Sequence, residues 1–232
     1  MADPQRSLAG IALLEGLEAR RLADLELRCR WHRWNAGATI IDRHSEARDV
    51  YFVAEGLVRV VNFSPAGREI AFDEVGAGGH FGDLAALDGA PRSASVVALG
   101  ETRTASCAPQ TFIALLHDNP DIALRVTRAL ARIVRTATDR IMDLSTLGAH
   151  NRVHAEMLRE ARAAMTGANT AAIKPIPVHS DIAARASTTR ETVARVLGDL
   201  SRQGLVTRER DALAVSDVAK LAHLVEAVRE QF

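Results

Sequence analysis

At 232 residues the chain has room for one large domain or two ordinary ones, and its 47% apolar and 25% charged residues suit a globular protein rather than a disordered or fibrous one. Its 29 basic residues balance 29 acidic ones, so no global field draws it to nucleic acid or membrane, and any such binding must come from a local arrangement of Arg and Lys. Cys29 and Cys107 are far apart with no Cys-x-x-Cys spacing, which points to a reducing compartment and excludes a cysteine-ligated iron–sulfur cluster within one chain.

The opening "MADPQRSLAGIALLEGLEARRL" lacks the basic and apolar regions of a signal peptide. No apolar run approaches the roughly 20 residues needed to span a bilayer, so a cytoplasmic location without membrane contact is expected. Residues 1–28 read as helix, with a loose stripe of Leu13, Leu14, Leu17, Leu22, Leu25 and Leu27. From Trp31 to about Ala108, short runs such as "ATIID", "DVYFVA", "LVRVVNF", "REIAFDEV" and "SASVVAL" alternate with Gly and Pro. This texture predicts an antiparallel β-roll of about eight strands. In "SPAG", Pro65 and Gly67 stand where a tight hairpin turn wants them.

Asn119-Pro120-Asp121 supplies a helix start: a capping side chain, a proline in the first turn and an early acid. The helix is expected to run to about Leu147. Ala123, Leu130, Ala137 and Leu144 form one heptad row, and Val126, Ile133 and Leu147 a second. Arg140 interrupts the second row, while Val134 and Ile141 widen its flank. The pattern favours a dimer over a helix laid on its own barrel. Gly148 breaks the helix, a second one covers about Arg152 to Met165, and "TGANTAAIKPIPV" is a polar loop. The remainder reads as helix, turn, helix, two short strands "LVTRE" and "ALAVS", and a final helix from about Asp217.

Two stretches carry chemistry. In "SDIAARASTTRETVARVLGDLSRQGLV", Ile182, Ala183 and Ala186 face inward on a first helix. Thr188 or Thr189 caps the second helix, whose inner face is Val193, Val196, Leu197 and Leu200. Outward remain Thr189, Arg190, Glu191 and Arg195, side chains suited to a major groove: arginine forks match guanine, and a carboxylate accepts from the cytosine amino group. His179 and Ser180, at the start of the motif, join them as DNA-binding residues. In "FGDLAALDGAPRSASV", a short helical turn follows Gly82, and "GAP" returns the chain so that Arg92 and Ser93 face its free N–H groups. Guanidinium, hydroxyl and amides suit a phosphate. Asp83 beside them suits a sugar hydroxyl. An Asp83–Arg92 ion pair across a loop is the plainer alternative.

The segments Gly82-Asp83-Leu84-Ala85 and Pro91-Arg92-Ser93-Ala94 resemble the phosphate-binding cassette of cyclic-nucleotide-binding domains. Arg190-Glu191-Thr192-Val193-x-Arg195 resembles the recognition helix of the Crp/Fnr transcription regulators, in particular the cAMP receptor protein branch. The resemblance covers nearly the whole chain. It implies an α+β architecture: a cyclic-nucleotide-binding β-roll with its N-terminal helix over 1–118, a dimerisation helix over 119–148 and a winged helix-turn-helix domain over 149–232. It further implies that Arg92 pairs with the cyclic phosphate and Ser93 bonds it, that Gly82 and Leu84 give backbone contacts, and that Asp83 takes the ribose 2′-hydroxyl. The base would meet Ala137 and Thr138 on the dimer helix, and Phe72 and Asp73 on the roll. Double-stranded DNA, a second copy of the chain and RNA polymerase are the implied partners, with a half-site resembling TGTGA.

Three departures from the family pattern stand out. Asp83 replaces a glutamate, Ala137 lacks a hydroxyl that would meet the adenine amino group, and Asp73 sets a carboxylate where guanine N1 and N2 hydrogens would be accepted. The expected effector is therefore cAMP, with cGMP as a second ligand. Haem is disfavoured, because His80 reads as a solvated residue of a glycine-rich turn. No metal is expected, since His150 and His154 lack further ligands. With no nucleophile elbow or catalytic carboxylate pair, and no base near Ser93, the chain is not expected to be an enzyme. The alternatives are a ligand-independent regulator of the same kind, or a nucleotide-binding module that controls a partner protein.

Overall fold

The computed structural model describes residues 6–64 and 69–229; Pro65 and Gly67 of the expected hairpin turn lie outside them. The chain divides into two compact units, Met1–Arg132 and Ile133–Phe232.

The first unit begins with a single 3-10 turn, Ala12–Leu14, and then a helix α1 (Ala19–Arg28). The continuous helix expected over residues 1–28 is therefore interrupted. Gly16 stands between the two pieces at φ 79, a left-handed conformation that ends a helical run. Strands β1 (Arg30–Trp34), β2 (Thr39–Ile41), β3 (Val50–Glu55), β4 (Leu57–Phe63), β5 (Glu69–Gly76), β6 (His80–Phe81), β7 (Ser95–Ala98) and β8 (Thr102–Cys107) build the roll, with α2 (Asp83–Asp88) between β6 and β7. They form two antiparallel sheets of order β1-β8-β3-β6 and β2-β7-β4-β5. β4 and β5 pair as a hairpin, as the runs predict.

Alternation along β3 shows how one strand serves two cores. Val50 and Phe52 are buried on one face with Leu8, Leu25, Ala105 and Phe112, whereas Val53, with Tyr51 beside it, faces the roll interior formed by Ile41, Val58, Phe81 and Val96. Phe52 and Phe112 are fully buried, each contributing about 1.5–3 kcal/mol of hydrophobic stabilisation. Polar groups turned inward are satisfied locally: Trp34 Nε1 donates to Thr104 Oγ1 at 2.9 Å, and His32 Nε2 lies 3.1 Å from Ser106 Oγ.

Phe112 belongs to a helix the sequence reading did not single out, α3 (Pro109–Asp118). The long helix α4 (Pro120–Thr146) follows, with Pro120 first and Asp121 in its first turn. Asn119 differs from expectation. Its Nδ2 donates to the Leu115 carbonyl at 2.8 Å, closing α3, while its backbone carbonyl accepts from Ile122 and Ala123 to start α4.

In the second unit, Gly148 is the N-cap of α5 (Ala149–Ala163), which starts and ends a little before the expected bounds. β9 (Ala171–Ile173) is a strand inside the segment read as a loop. Then come α6 (His179–Arg185), α7 (Arg190–Arg202), β10 (Val206–Arg208), β11 (Leu213–Val215) and α8 (Val218–Arg229). The wing is thus three-stranded, order β10-β11-β9. The helices close over Val153, Met157, Ile182, Val193, Leu200 and Leu221.

Candidate nucleotide and DNA sites

The cassette is built on Gly82 and Arg92. Gly82, the N-cap of α2, has φ 83. A Cβ there would meet Arg92 Nη1 at 2.8 Å and the Asp49 carbonyl at 2.9 Å, so glycine is required both for the backbone turn and for the close approach. Arg92 is only 5% exposed. Its Nη1 donates to the Gly82 carbonyl at 2.9 Å and its Nη2 to the Asp49 carbonyl at 2.8 Å. Its Nε is buried with no hydrogen-bond partner. Burial pushes the guanidinium below its usual range, opposed by nearby Tyr51 and Asp49. Burial likewise pushes the Tyr51 phenol up, with Asp49, against the pull of Arg92. The Tyr51 ring stacks on Phe81 at 5.1 Å.

Asp83 is buried in the first turn of α2. Its nearest ionic neighbour is His80, with Nε2 3.7 Å from Oδ2. His80 is therefore a half-buried strand residue set against Asp83, not a solvated loop side chain. The plainer alternative of an Asp83–Arg92 pair does not describe the cassette either, since the two Nη groups bond carbonyls. Leu84 and Ser93 are exposed, and the Ser93 carbonyl accepts from Asn62 Nδ2 at 3.2 Å.

The register of β4 and β5 pairs Val60 with Asp73 and Val61 with Ala71, which leaves Phe72 as the extra residue of a bulge. Alternation puts Asp73 on the face of β5 that carries Val75, whose partner Val58 lines the roll interior. Asp73 Oδ1 accepts from the Glu74 amide at 2.9 Å. Phe72 is exposed. Ala137 and Thr138 are exposed on the part of α4 that belongs to the second unit, and Thr138 donates its hydroxyl to the Val134 carbonyl at 3.0 Å.

In the helix-turn-helix, Thr189 is the cap: its Oγ1 accepts from the Thr192 amide at 3.3 Å. Thr188 is buried. Arg190, Glu191 and Arg195 are exposed along α7. Bonds from its own amide and from the Thr189 hydroxyl hold the Glu191 carboxyl below its usual range, so it stands ready as an acceptor. His179 is exposed at the start of α6, and Ser180 donates to Asp181 Oδ1 at 3.3 Å. One supporting residue had no motif to reveal it. Arg152 donates to the carbonyls of Leu147, Ala186 and Ser187 at 2.9–3.0 Å, stapling the turn of the motif to α5. Among the described residues no three His, Cys, Asp or Glu side chains gather as a metal site, and no helix is long and apolar enough to cross a membrane.

Fold and sites together define a cyclic-nucleotide-binding roll followed by a winged helix-turn-helix. Residues 31–119 match the profile of the cyclic nucleotide-binding domain, and residues 151–224 that of the Crp-like helix-turn-helix domain. The chain belongs to the Crp/Fnr family of transcription regulators. It is 31% identical over 222 residues to the cyclic AMP receptor protein of Thermus thermophilus, covering 94% of this chain and 98% of that one. It is 26% identical over 216 residues to the CRP-like cAMP-activated global transcriptional regulator of Mycobacterium tuberculosis, covering 93% and 96%. In fold it resembles a CooA mutant from Carboxydothermus hydrogenoformans, with TM-score 0.80, 21% identity and coverage of 92% and 95%.

Proposed function

We propose that this chain is a cyclic-nucleotide-responsive regulator that binds a TGTGA-N6-TCACA-like palindrome as a homodimer, with cAMP as its effector and cGMP as a second ligand. The observation that carries the reading is Arg92. Two of its five donors are fixed on carbonyls and its buried Nε has no partner. The guanidinium is thereby oriented with an edge left for an anion, and an anion would offset the cost of burying its charge. Ser93 adds a hydroxyl, and Gly82 and Leu84 backbone contacts. Asp83, braced by His80, offers its carboxylate to the ribose 2′-hydroxyl.

For the base, the resemblance assigns Ala137 and Thr138 of the dimer helix. Thr138, having given its hydrogen to Val134, is left as an acceptor for an exocyclic amino group. Asp73 and Phe72 at the bulge supply the second set of contacts, and a carboxylate there accepts from guanine. Dimerisation is supported by the apolar stripe that α4 exposes, with Ile133 44%, Val134 64%, Ile141 62% and Leu144 53% accessible. Arg190, Glu191 and Arg195 read base edges, while Thr189, His179 and Ser180 contact the backbone. Ligand binding favours the arrangement in which two recognition helices lie about 34 Å apart, one DNA turn. RNA polymerase is the proposed downstream partner, the cytoplasm the proposed location, and no catalytic step is involved. The functional division is 1–118 for ligand, 119–148 for dimerisation and 149–232 for DNA.

The test is a gel shift on the palindromic duplex at stated salt, without ligand, with cAMP and with cGMP. A shift that needs a nucleotide supports the reading and names the effector. A shift without one makes the chain a ligand-independent regulator. No shift at all returns the reading to a module that controls a partner protein. Calorimetry then separates the nucleotides: comparable affinities support the role of Asp73, and a large preference for cAMP removes it.

A further inference from the structure

Cys29 and Cys107, remote in sequence, are neighbours in the fold. β1 and β8 pair antiparallel, with Arg30 opposite Ser106 and Trp31 opposite Ala105. Cys29, with φ −87 and ψ 146, is already extended, and the register continued by one residue sets it opposite Cys107. Alternation turns both side chains toward the face of Trp31 and Ala105, and Cys29 packs on the cluster that contains Cys107, Phe52 and Phe112. Directly opposed residues in antiparallel strands have Cα atoms about 4.5–5.5 Å apart, inside the range of about 4.4–6.8 Å that a disulfide spans.

The two thiols are not equivalent. Cys107 is buried and Cys29 is partly exposed. Hydrogen bonding with Cys107 holds the Cys29 thiol below its usual range, against the opposing effects of burial and of Glu26. The same bond, burial, the Cys29 charge and Asp49 push Cys107 up. A partly exposed thiol held below its usual range, opposite a buried one held above it, is the arrangement of an attacking and a resolving cysteine. Neither nucleotide nor DNA binding uses either thiol.

We infer that Cys29 and Cys107 form a redox-active dithiol whose oxidant is a small hydroperoxide. The Cys29 thiolate attacks the distal peroxide oxygen and the O–O bond breaks, so that Cys29 becomes a sulfenic acid and hydrogen peroxide leaves as water once the departing oxygen is protonated. The Cys107 sulfur then attacks the Cys29 sulfur, the S–O bond breaks, and the Cys107 proton leaves with the hydroxyl as a second water. Two thiols and one peroxide give one disulfide and two waters. The bond would tie the end of α1 to the end of β8, just ahead of α3. In a reducing compartment it would be transient, reopened by cellular thiols.

The experiment treats the native full-length chain with a small excess of hydrogen peroxide. Both thiols should disappear together, the mass of the chain should fall by two hydrogens, and a peptide map should join the Cys29 and Cys107 segments within one chain. Dithiothreitol should reverse all three changes. Before oxidation, Cys29 should alkylate at least about tenfold faster than Cys107. In Cys107→Ala, dimedone should capture Cys29 as its sulfenic acid. Two thiols surviving the peroxide, Cys29 passing to a sulfinic acid without a cross-link, or a bond between chains would each overturn the inference. The wild-type readouts decide it even where the variant folds poorly.

Discussion

Arg92 carries a structural and a ligand-binding task, and substitution separates them by readout. Arg92→Leu leaves the Gly82 and Asp49 carbonyls without their donors, which costs about 1–3 kcal/mol. It also removes the anion partner, so calorimetry should detect no cyclic nucleotide binding while circular dichroism still reports a folded chain. A variant that binds with wild-type affinity sinks the assignment. Ser187 offers a change of opposite sign. Its φ of 49 is a left-handed conformation in a residue with a Cβ, at the turn between α6 and α7. Ser187→Gly should raise stability by up to about 1 kcal/mol, read as a higher midpoint in thermal unfolding. An unchanged or lower midpoint means the turn is held chiefly by Arg152, which grips the Ser187 carbonyl. These residues also mark what was legible. Gly82, Asp83, Arg92 and Ser93 are close in sequence, so their pattern could be read. Tyr51, the Asp49 carbonyl and the Arg152 staple come from strands and turns brought near only by folding, and a backbone acceptor leaves no sequence signature.

Within the second unit, α4, α5 and α6 are joined by a buried ionic cluster. Arg159 pairs with Asp143 at 2.7 Å and Glu156 at 2.8 Å, and Arg185 pairs with Glu156 at 2.8 Å and Glu160 at 2.9 Å. Asp143 and Glu156 are each only 2% exposed. Glu156 is the hub, meeting both arginines. Glu156→Ala therefore removes the acceptor shared by two guanidiniums, leaving Arg159 on Asp143 and Arg185 on Glu160, and should cost about 1.5–3 kcal/mol in chemical denaturation, more than the loss of an exposed pair. A loss below about 1 kcal/mol would mean that the arginines find water or other partners. The cluster ties the end of the long helix to the first helix of the DNA-reading pair, so the variant should also weaken operator binding. None of this was legible as a motif, because spaced Glu and Arg on helices read equally well as a solvated face. The elements fared unevenly for similar reasons. The long helix and the helix-turn-helix show through strong periodicity and caps. α3 and β9 are short, and their apolar positions acquire meaning only from Phe112 and Ile173 entering cores built by distant residues.

A chain with no net charge has no global attraction for DNA, and under the proposed function affinity comes from pairing two small reading surfaces, with dimerisation as the controlling variable. Ile141 and Val134 are among the most exposed apolar residues of α4, and on the flank of the heptad rows they are covered by the partner helix in a parallel two-stranded seam. Ile141→Glu would carry one carboxylate from each helix into the cover of such a seam, at the penalty of desolvation. The same side chain on a monomer is already in water and costs little. Sedimentation should therefore show the variant as monomer where the wild type is dimer, with an unchanged circular dichroism spectrum. Its gel shift should be lost on the full palindrome, because a single half-site forfeits the second set of contacts and roughly half of the released counterions that give binding its salt dependence. Arg190→Ala supplies the contrast. It should stay dimeric and nucleotide-binding, lose about 1–3 kcal/mol of operator affinity, and discriminate poorly between the operator and a duplex altered at one guanine. If Ile141→Glu remained a dimer, the exposed stripe of α4 would not be the seam. If Arg190→Ala bound the operator normally, α7 would not be the helix that reads it.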